Sequence, residues 1–383
     1  MKNHKEQFPI IRFHTYRDEW KQHKLGEVFE QTVEYVDPYE QNLELWSVTV
    51  ESGLTPKEER YNREFLVKKS DKFKKLYPEE IVYNPMNITI GAVGFNNAGK
   101  EVAVSGYYVT MKMKSKFSNN FFSAWLSCPK AIRLYKIYST GSLIERQRVQ
   151  FPTLSDIKDY FPIFDEQSAI GSLFRTLDDL LSSYKDNLTN YQALKATMLS
   201  KMFPKAGQTV PEIRLNGFEE DWERKGLSEV CTINSGRDYK HLKNGDIPVY
   251  GTGGYMLSVN EKLSDEDAIG IGRKGTIDKP YLLSAPFWTV DTLFYVICKV
   301  GYDLNYLFLI FQKIRWKKFD ESTGVPSLSK KTIEKVVSKF PSYEEQCAIG
   351  LYFSDLDNLI NYYQEKISQL ETLKKKLLQD MFI

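Results

Sequence analysis

Residues 164–203 read FDEQSAIGSLFRTLDDLLSSYKDNLTNYQALKATMLSKMF, and residues 343–382 read YEEQCAIGLYFSDLDNLINYYQEKISQLETLKKKLLQDMF. Aligned without a gap from Phe161 and Phe340, the two copies agree at 17 of 43 positions. Each opens with acidic residues and a Gln before an apolar run, the composition of a helix N-terminus. Apolar residues then recur every three or four positions. In the first copy they are Ile170, Leu173, Leu177, Leu180, Tyr184, Leu188, Tyr191, Leu194 and Met198. In the second they are Ile349, Tyr352, Leu356, Leu359, Tyr363, Ile367, Leu370, Leu373 and Leu377. After Gly171 and Gly350 neither copy holds a Gly or Pro until it ends. The spacing predicts two helices of about 38 residues, roughly 57 Å long at 1.5 Å per residue. Ordinary globular helices run about 11–12 residues. A sustained three-four spacing suits a coiled-coil seam. Two long core helices of an enzyme are the alternative, but matched helices around a globular-length insert favour a strut between two heads.

A second repeat frames the heads. PIIRFHTYRDEWKQHKLGEV from Pro9 matches PEIRLNGFEEDWERKGLSEV from Pro211, sharing Arg12/Arg214, Trp20/Trp222, Leu25/Leu227, Glu27/Glu229 and Val28/Val230. The order is a lead-in (1–20), head one (21–160), a helical region (161–204), a second lead-in (205–222), head two (223–339) and a second helical region (340–383). The frame is duplicated, while the heads share little sequence. The expected class is therefore α+β, with two β-sheet heads, two long helices packed as an antiparallel coiled coil, and a pseudo-twofold internal repeat.

The chain's 383 residues, 42% hydrophobic and 14% aromatic, give room for two or three domains with real cores. No apolar run approaches the roughly 18 residues of a membrane span, and MKNHKEQFPIIRFHTY lacks a signal-peptide core. A cytoplasmic location is expected. The four cysteines are scattered, which reads as reduced thiols and neither a disulfide frame nor a zinc site. Net charge is +2, unevenly distributed. Residues 21–160 carry 20 basic and 17 acidic side chains, and residues 223–339 carry 18 and 14. The helical copies lean acidic. Heads that meet a polyanion, and helices that do not, fit this pattern, although excesses this small also fit any solvated surface.

Head one is expected to be rich in strands. Lys112, Lys114 and Lys116 alternate with Met111, Met113 and Ser115, so a strand would place three ammoniums on one face. Arg146 and Arg148 alternate likewise. LVKKSDKFKKLYP, around Lys74, reads as a solvated helix or loop. In head two, Gly270-Ile271-Gly272-Arg273-Lys274-Gly275 fits GxGxxG, but Thr276 to Pro280 do not open a helix, as a dinucleotide site requires. A hairpin presenting Arg273 and Lys274 is expected instead. Ser322-Thr323-Gly324 echoes Ser139-Thr140-Gly141, as a phosphate-holding loop or as a turn closing the domain. Asn84-Pro85-Met86-Asn87 and Asp37-Pro38-Tyr39 fall short of an amino-methyltransferase motif. There is no Walker loop, and His4, His14, His23 and His241 have no triad or HExxH company.

In order and duplication, these motifs resemble the specificity subunit of bacterial type I restriction–modification systems. The resemblance covers almost the whole chain. It rests on W-x4-L-x-E-V at Trp20 and Trp222, on FP-x3-EQ-x-AIG at Phe161 and Phe340, and on VAVSGYYV, IPVYGTGGY, IGIGRKGTI and PFWTVDTLF in the heads. It implies two target-recognition domains, each reading one half of a split double-stranded DNA site, and a helix pair that sets the spacer. It implies no catalysis and no bound cofactor in this chain. Two modification subunits would dock on the helices and supply S-adenosylmethionine-dependent adenine methylation. Restriction subunits would add ATP- and Mg-dependent translocation and cleavage. Residue type and loop position nominate DNA contacts at Asn84, Lys112, Lys114, Lys116, Arg146 and Arg148 in head one. In head two they nominate Thr252, Tyr255, Arg273, Lys274, Ser322 and Thr323. A self-contained DNA adenine methyltransferase with a fused recognition domain is the rival from another class, and a structural adaptor with no DNA role is a third.

Overall fold

The computed structural model describes residues 8–57, 72–141, 147–205 and 207–382. The chain forms two compact units, residues 1–185 with 366–383, and residues 186–365. Each unit holds one head, one lead-in, the start of one long helix and the end of the other.

In the first unit the strand Lys21–Lys24 pairs antiparallel with Lys158–Phe161, so the two ends of head one are tied together. Between them lies an antiparallel sheet ordered Phe29–Thr32, Val109–Met113, Ile81–Tyr83, Val93–Phe95. Its inner face packs on the helix Asn119–Leu126 and on Trp20, Phe161, Ile170 and Phe174. Met381 and Phe382, from the end of the second long helix, are buried in the same core. The Phe382 ring stacks on Phe174 at 5.7 Å and meets Phe121 edge-on at 5.5 Å.

The second unit repeats this plan. Glu223–Gly226 pairs with Val337–Phe340. The main sheet is ordered Cys231–Ser235, Leu293–Cys298, Ala268–Gly272, Tyr281–Leu283, again antiparallel throughout. Ranked along the chain, both sheets run first, fourth, second, third. Two heads with little common sequence thus share one topology. Met202 and Phe203 fill the place of Met381 and Phe382, with the Phe203 ring 5.6 Å from Tyr306 and 5.8 Å from Trp222.

The long helices run Phe164–Lys201 and Tyr343–Asp380, 38 residues each. Within the first unit Lys374 pairs with Asp178 and Lys185 with Glu371; within the second, Tyr191 stacks on Tyr363 and Lys195 pairs with Asp357. Rising numbers on one helix meet falling numbers on the other, so the packing is antiparallel. Most positions of the expected seam are buried or half-buried, and three are not. Ile170, Phe174, Leu177 and Leu181 are buried, as are Ile349, Phe353, Leu356 and Ile360, whereas Leu180 and Leu359 are each 39% exposed and Leu373 is 45% exposed. At 3.6 residues per turn, ten positions beyond Ile170 or Ile349 fall about 80° off the stripe, while seven or eleven fall within about 20°. Leu173, Met198, Tyr352, Leu370 and Leu377 pack at the core margins.

The start of each long helix is locked the same way. Arg12 grips the buried Glu166 carboxylate with two hydrogen bonds of 2.7 Å and donates to the Asp18 carbonyl. Arg214 grips Glu345 at 2.8 and 2.7 Å and donates to the Glu220 carbonyl. Gln167 and Gln346 donate to the carbonyls of Pro162 and Pro341 and accept from the amides of Ser118 and Asp303. One turn on, Gly171 and Gly350 let the head helix press in. A Cβ would lie 2.6 Å from the Phe121 amide nitrogen at the first and 2.4 Å from Asp303 Oδ1 at the second.

Arg214→Met is expected to cost about 3–5 kcal/mol in urea unfolding, because it strands a buried carboxylate. Arg214→Met combined with Glu345→Met should recover most of that loss, and strictly additive losses would contradict a desolvated pair. Gly350→Ala must displace the Asp303 side chain, which caps Leu304–Lys313 through the Tyr306 amide at 2.8 Å. A loss of about 1–3 kcal/mol is expected for that overpacking. Gly324→Ala, which meets nothing within 4 Å, should stay near neutral in the same assay.

Candidate nucleic-acid interface

In head two the strand Ala268–Gly272 hands over to the loop 273–280 before Tyr281–Leu283 returns. This is an extended connection and not a tight hairpin, since the chain folds back beside Gly272, where a Cβ would lie 2.1 Å from the Thr276 carbonyl. The Arg273 amide donates to the Thr292 carbonyl at 2.8 Å, the Gly275 amide to Pro326 at 2.8 Å, and the Leu328 amide to Arg273 at 3.0 Å. These bonds bring segment 326–328 alongside Arg273 and Lys274. Gly275, at φ +90°, would set a Cβ 3.8 Å from Thr252 Oγ1, which brings the turn of the hairpin Asn244–Gly251/Gly254–Val259 to the same edge.

Arg273 and Lys274 are exposed. The Arg273 guanidinium lies over the Phe294 ring, 5.9 Å from its centroid, and reaches the Asp291 carbonyl at 3.5 Å. Beside it opens a cleft of about 340 Å³ lined by Ser235, Arg273, Lys274, Phe294, Ser327 and Lys330, among others. Tyr255 is 63% exposed, its ring edge-on to Tyr250 and its hydroxyl 3.1 Å from that of Ser258. The Tyr281 hydroxyl, pushed up by burial and so neutral, donates to the Gly251 carbonyl and fixes the hairpin turn. The Ser322 hydroxyl and amide, and the Ser327 amide, donate to Asp320, whose carboxyl they hold below the usual range. Ser322 therefore closes a turn, and Thr323 stands exposed on it. The structure gathers Thr252, Arg273 and Lys274 at one edge.

Head one uses the topologically equivalent edge. Its strand Ile81–Tyr83 hands over to Asn84-Pro85-Met86-Asn87. The Val149 amide donates to the Pro85 carbonyl at 3.0 Å, as Leu328 does to Arg273. Asn84 accepts from the Met86 amide at 3.0 Å, so part of its side chain builds the turn. Arg148 is exposed, bridges to Thr140, and lies over the Tyr107 ring at 5.9 Å. Arg146 lies outside the described residues, as do Lys68 and Lys69.

The three alternating lysines do not share a strand face. The strand ends at Met113, leaving Lys112 on it and Lys116 in the turn beyond. Lys112 pairs with Glu30 at 3.6 Å, and Lys114 donates to the Gly26 carbonyl at 2.8 Å. With Val109 opposite Tyr83, Lys112 sits four residues along from the level of Asn84, about 13 Å at roughly 3.3 Å per residue, and Lys114 farther still. Lys74, expected in a solvated helix or loop, lies on the strand Phe73–Leu76, donates to the Tyr108 carbonyl at 2.6 Å, and has its pKa lowered by burial.

Sequence reasoning missed the segment 237–243, RDYKHLK. Arg237, Lys240, His241 and Lys243 are all exposed, and Arg237, Lys240 and Lys243 have no ion pair among the described residues. Trp288 anchors the segment by donating to the Arg237 carbonyl at 3.0 Å. Three cations and two rings in seven residues, directly after a strand, were the available signal. No group of three or more metal-ligating side chains occurs among the described residues. Burial pushes the thiols of Cys128, Cys231 and Cys298 up to about 12, so they stay protonated at neutral pH. No helix among the described residues is long and apolar enough to cross a membrane.

Residues 219–372 match the family described as "Type I restriction modification DNA specificity domain". The chain is 23% identical over 353 residues to the type I restriction enzyme MjaVIII specificity subunit of Methanocaldococcus jannaschii, covering 81% of each. Its fold is similar to that of the type I restriction–modification S subunit from M. genitalium, with a TM-score of 0.69 and 16% identity, over 98% of this chain and 99% of that one. Residues 219–372 thus resemble a type I restriction–modification DNA specificity domain, and the relative matched over 81% of each chain and the similar fold agree with the duplicated frame.

Proposed function

We propose that this chain is the DNA sequence-specificity subunit of a type I restriction–modification complex, each head reading one half of a bipartite site in double-stranded DNA. The observation that carries this reading is the equivalent edge of the two heads. One sheet topology presents different polar side chains at the same place: Asn84, Thr140 and Arg148 in head one, and Thr252, Arg273 and Lys274 in head two. Lys and Arg supply sequence-blind, salt-sensitive affinity by releasing counterions. Arg, Asn and hydroxyl groups supply base discrimination. A constant frame carrying two variable edges suits a reader of two unrelated half-sites better than it suits a single active site.

The chain contributes recognition and positioning, with no catalytic step of its own. Two modification subunits dock on the long helices and bring S-adenosylmethionine, while restriction subunits bring ATP and Mg. The complex works on cytoplasmic DNA. The self-contained methyltransferase finds no favouring observation.

Exchanging residues 223–335 for the matching head of a relative is expected to change one half of the methylated motif and leave the other intact, as read by methylome sequencing. A change in both halves would overturn the two-reader assignment. The helices are expected to set the gap between half-sites. Four residues inserted after Asn187 lengthen the helix by about 6 Å while nearly preserving the direction of its seam. DNA advances about 3.4 Å per base pair, so the gap should grow by one to two base pairs with the half-sites unchanged. An active variant that keeps the original gap would remove the spacer role.

A further inference from the structure

We propose that the cleft beside Arg273 is a seat for one phosphate of the DNA backbone. This rests on the DNA-reading function above and adds where the backbone is held. Four observations support it. Arg273 is pre-positioned over Phe294 and by the Asp291 carbonyl, with its other guanidinium N–H groups unpartnered among the described residues. Lys274 is exposed and without an ion pair among those residues, and the two are adjacent in sequence at the mouth of one cleft. Lys330 lines the same cleft and is held only loosely by Glu334, at 3.7 Å. The one carboxylate in the lining, Glu321, is engaged by the Ser329 and Thr332 hydroxyls and keeps its charge, so the cleft sets three cations against one anion. A phosphate there would meet a forked guanidinium, an ammonium and the Ser327 hydroxyl. The Phe294 ring forms a low-dielectric wall that strengthens these contacts.

Several lysines of head one are held internally, while Arg148 is exposed and lies over the Tyr107 ring. Lys112 faces Glu30, Lys114 a carbonyl, Lys24 Asp156 at 3.0 Å, Lys75 Glu101 at 2.7 Å, and Lys100 Glu44 at 2.6 Å. A phosphate approaching Lys112 also meets Glu30, so less counterion release is available there.

The test uses the full chain assembled with its modification subunits and a fluorescein-labelled duplex of about 40 base pairs of arbitrary sequence, titrated between roughly 50 and 200 mM salt. Arg273→Ala combined with Lys274→Ala should flatten the slope of log affinity against log salt by about 0.9, the value for one lost phosphate. Arg273→Lys combined with Lys274→Arg should retain the slope, and Lys112→Ala with Lys114→Ala should leave it unchanged. Thermal melting of each variant establishes that folding is intact. A loss near 1.8 would mean two separate phosphates and overturn the single seat. No loss in the head-two variant, or equal losses in the two alanine pairs, would overturn the seat. If the unmutated complex shows no salt-dependent binding at all, the failure lies with the DNA-reading function itself.

Discussion

A carboxylate removed from water must be paired or it destabilises the fold by several kcal/mol. Glu166 and Glu345 are both buried at the first turn of a long helix, and each is satisfied by one arginine from a lead-in 154 or 131 residues earlier. That requirement fixes the lead-in against the helix start. The neighbouring Gln then ties the helix to the end of its head, and the Gly one turn on admits the head's own helix. The recurring EQ-x-AIG and the recurring Arg and Trp of the lead-ins are therefore parts of one junction, built twice. Everything between the paired strands of a head is free to vary as long as its two ends return to that junction.

The junction explains which parts were legible in the sequence. Long helices and duplication are written in local spacing and in the repeated positions, because the same packing calls for the same residues there. Three positions of the seam, Leu180, Leu359 and Leu373, were misread. Leu180 and Leu359 are as apolar as the buried Leu181 and Ile360, and spacing alone does not tell which of them is covered. The common sheet topology of the heads was hidden as well. A β-strand accepts many sequences with the right alternation, so Ile81–Tyr83 and Ala268–Gly272 occupy one position while sharing almost nothing.

The candidate surface was legible in part. Glycine spacing around Arg273 and Lys274 marked an irregular connection with exposed cations, and the structure has one there. Phe294 and Ser327 join that edge from strands and loops 20 to 50 residues away, through contacts no local pattern records. The lysines of 112–116 show the opposite error. Their alternation was real, but the strand ended too soon, and glutamate and a carbonyl had already claimed two of the three.

Head one has a core that the chain cannot finish early. Met381 and Phe382 lie among Phe121, Phe174 and Trp20, and the Ile11 amide donates to the Asp380 carbonyl at 3.0 Å. During synthesis the ribosome delivers head one first and these residues more than two hundred positions later. Until then the pocket around Phe174 has nothing from this chain to fill it. Loop closure over such a separation is slow, and unfilled apolar surface invites association in the meantime. Head two meets Met202 and Phe203 before its own strands are made, so it can complete as soon as the start of the second long helix emerges. The two copies of one junction thus impose different waiting times on the nascent chain, and the first-made half is the last to close.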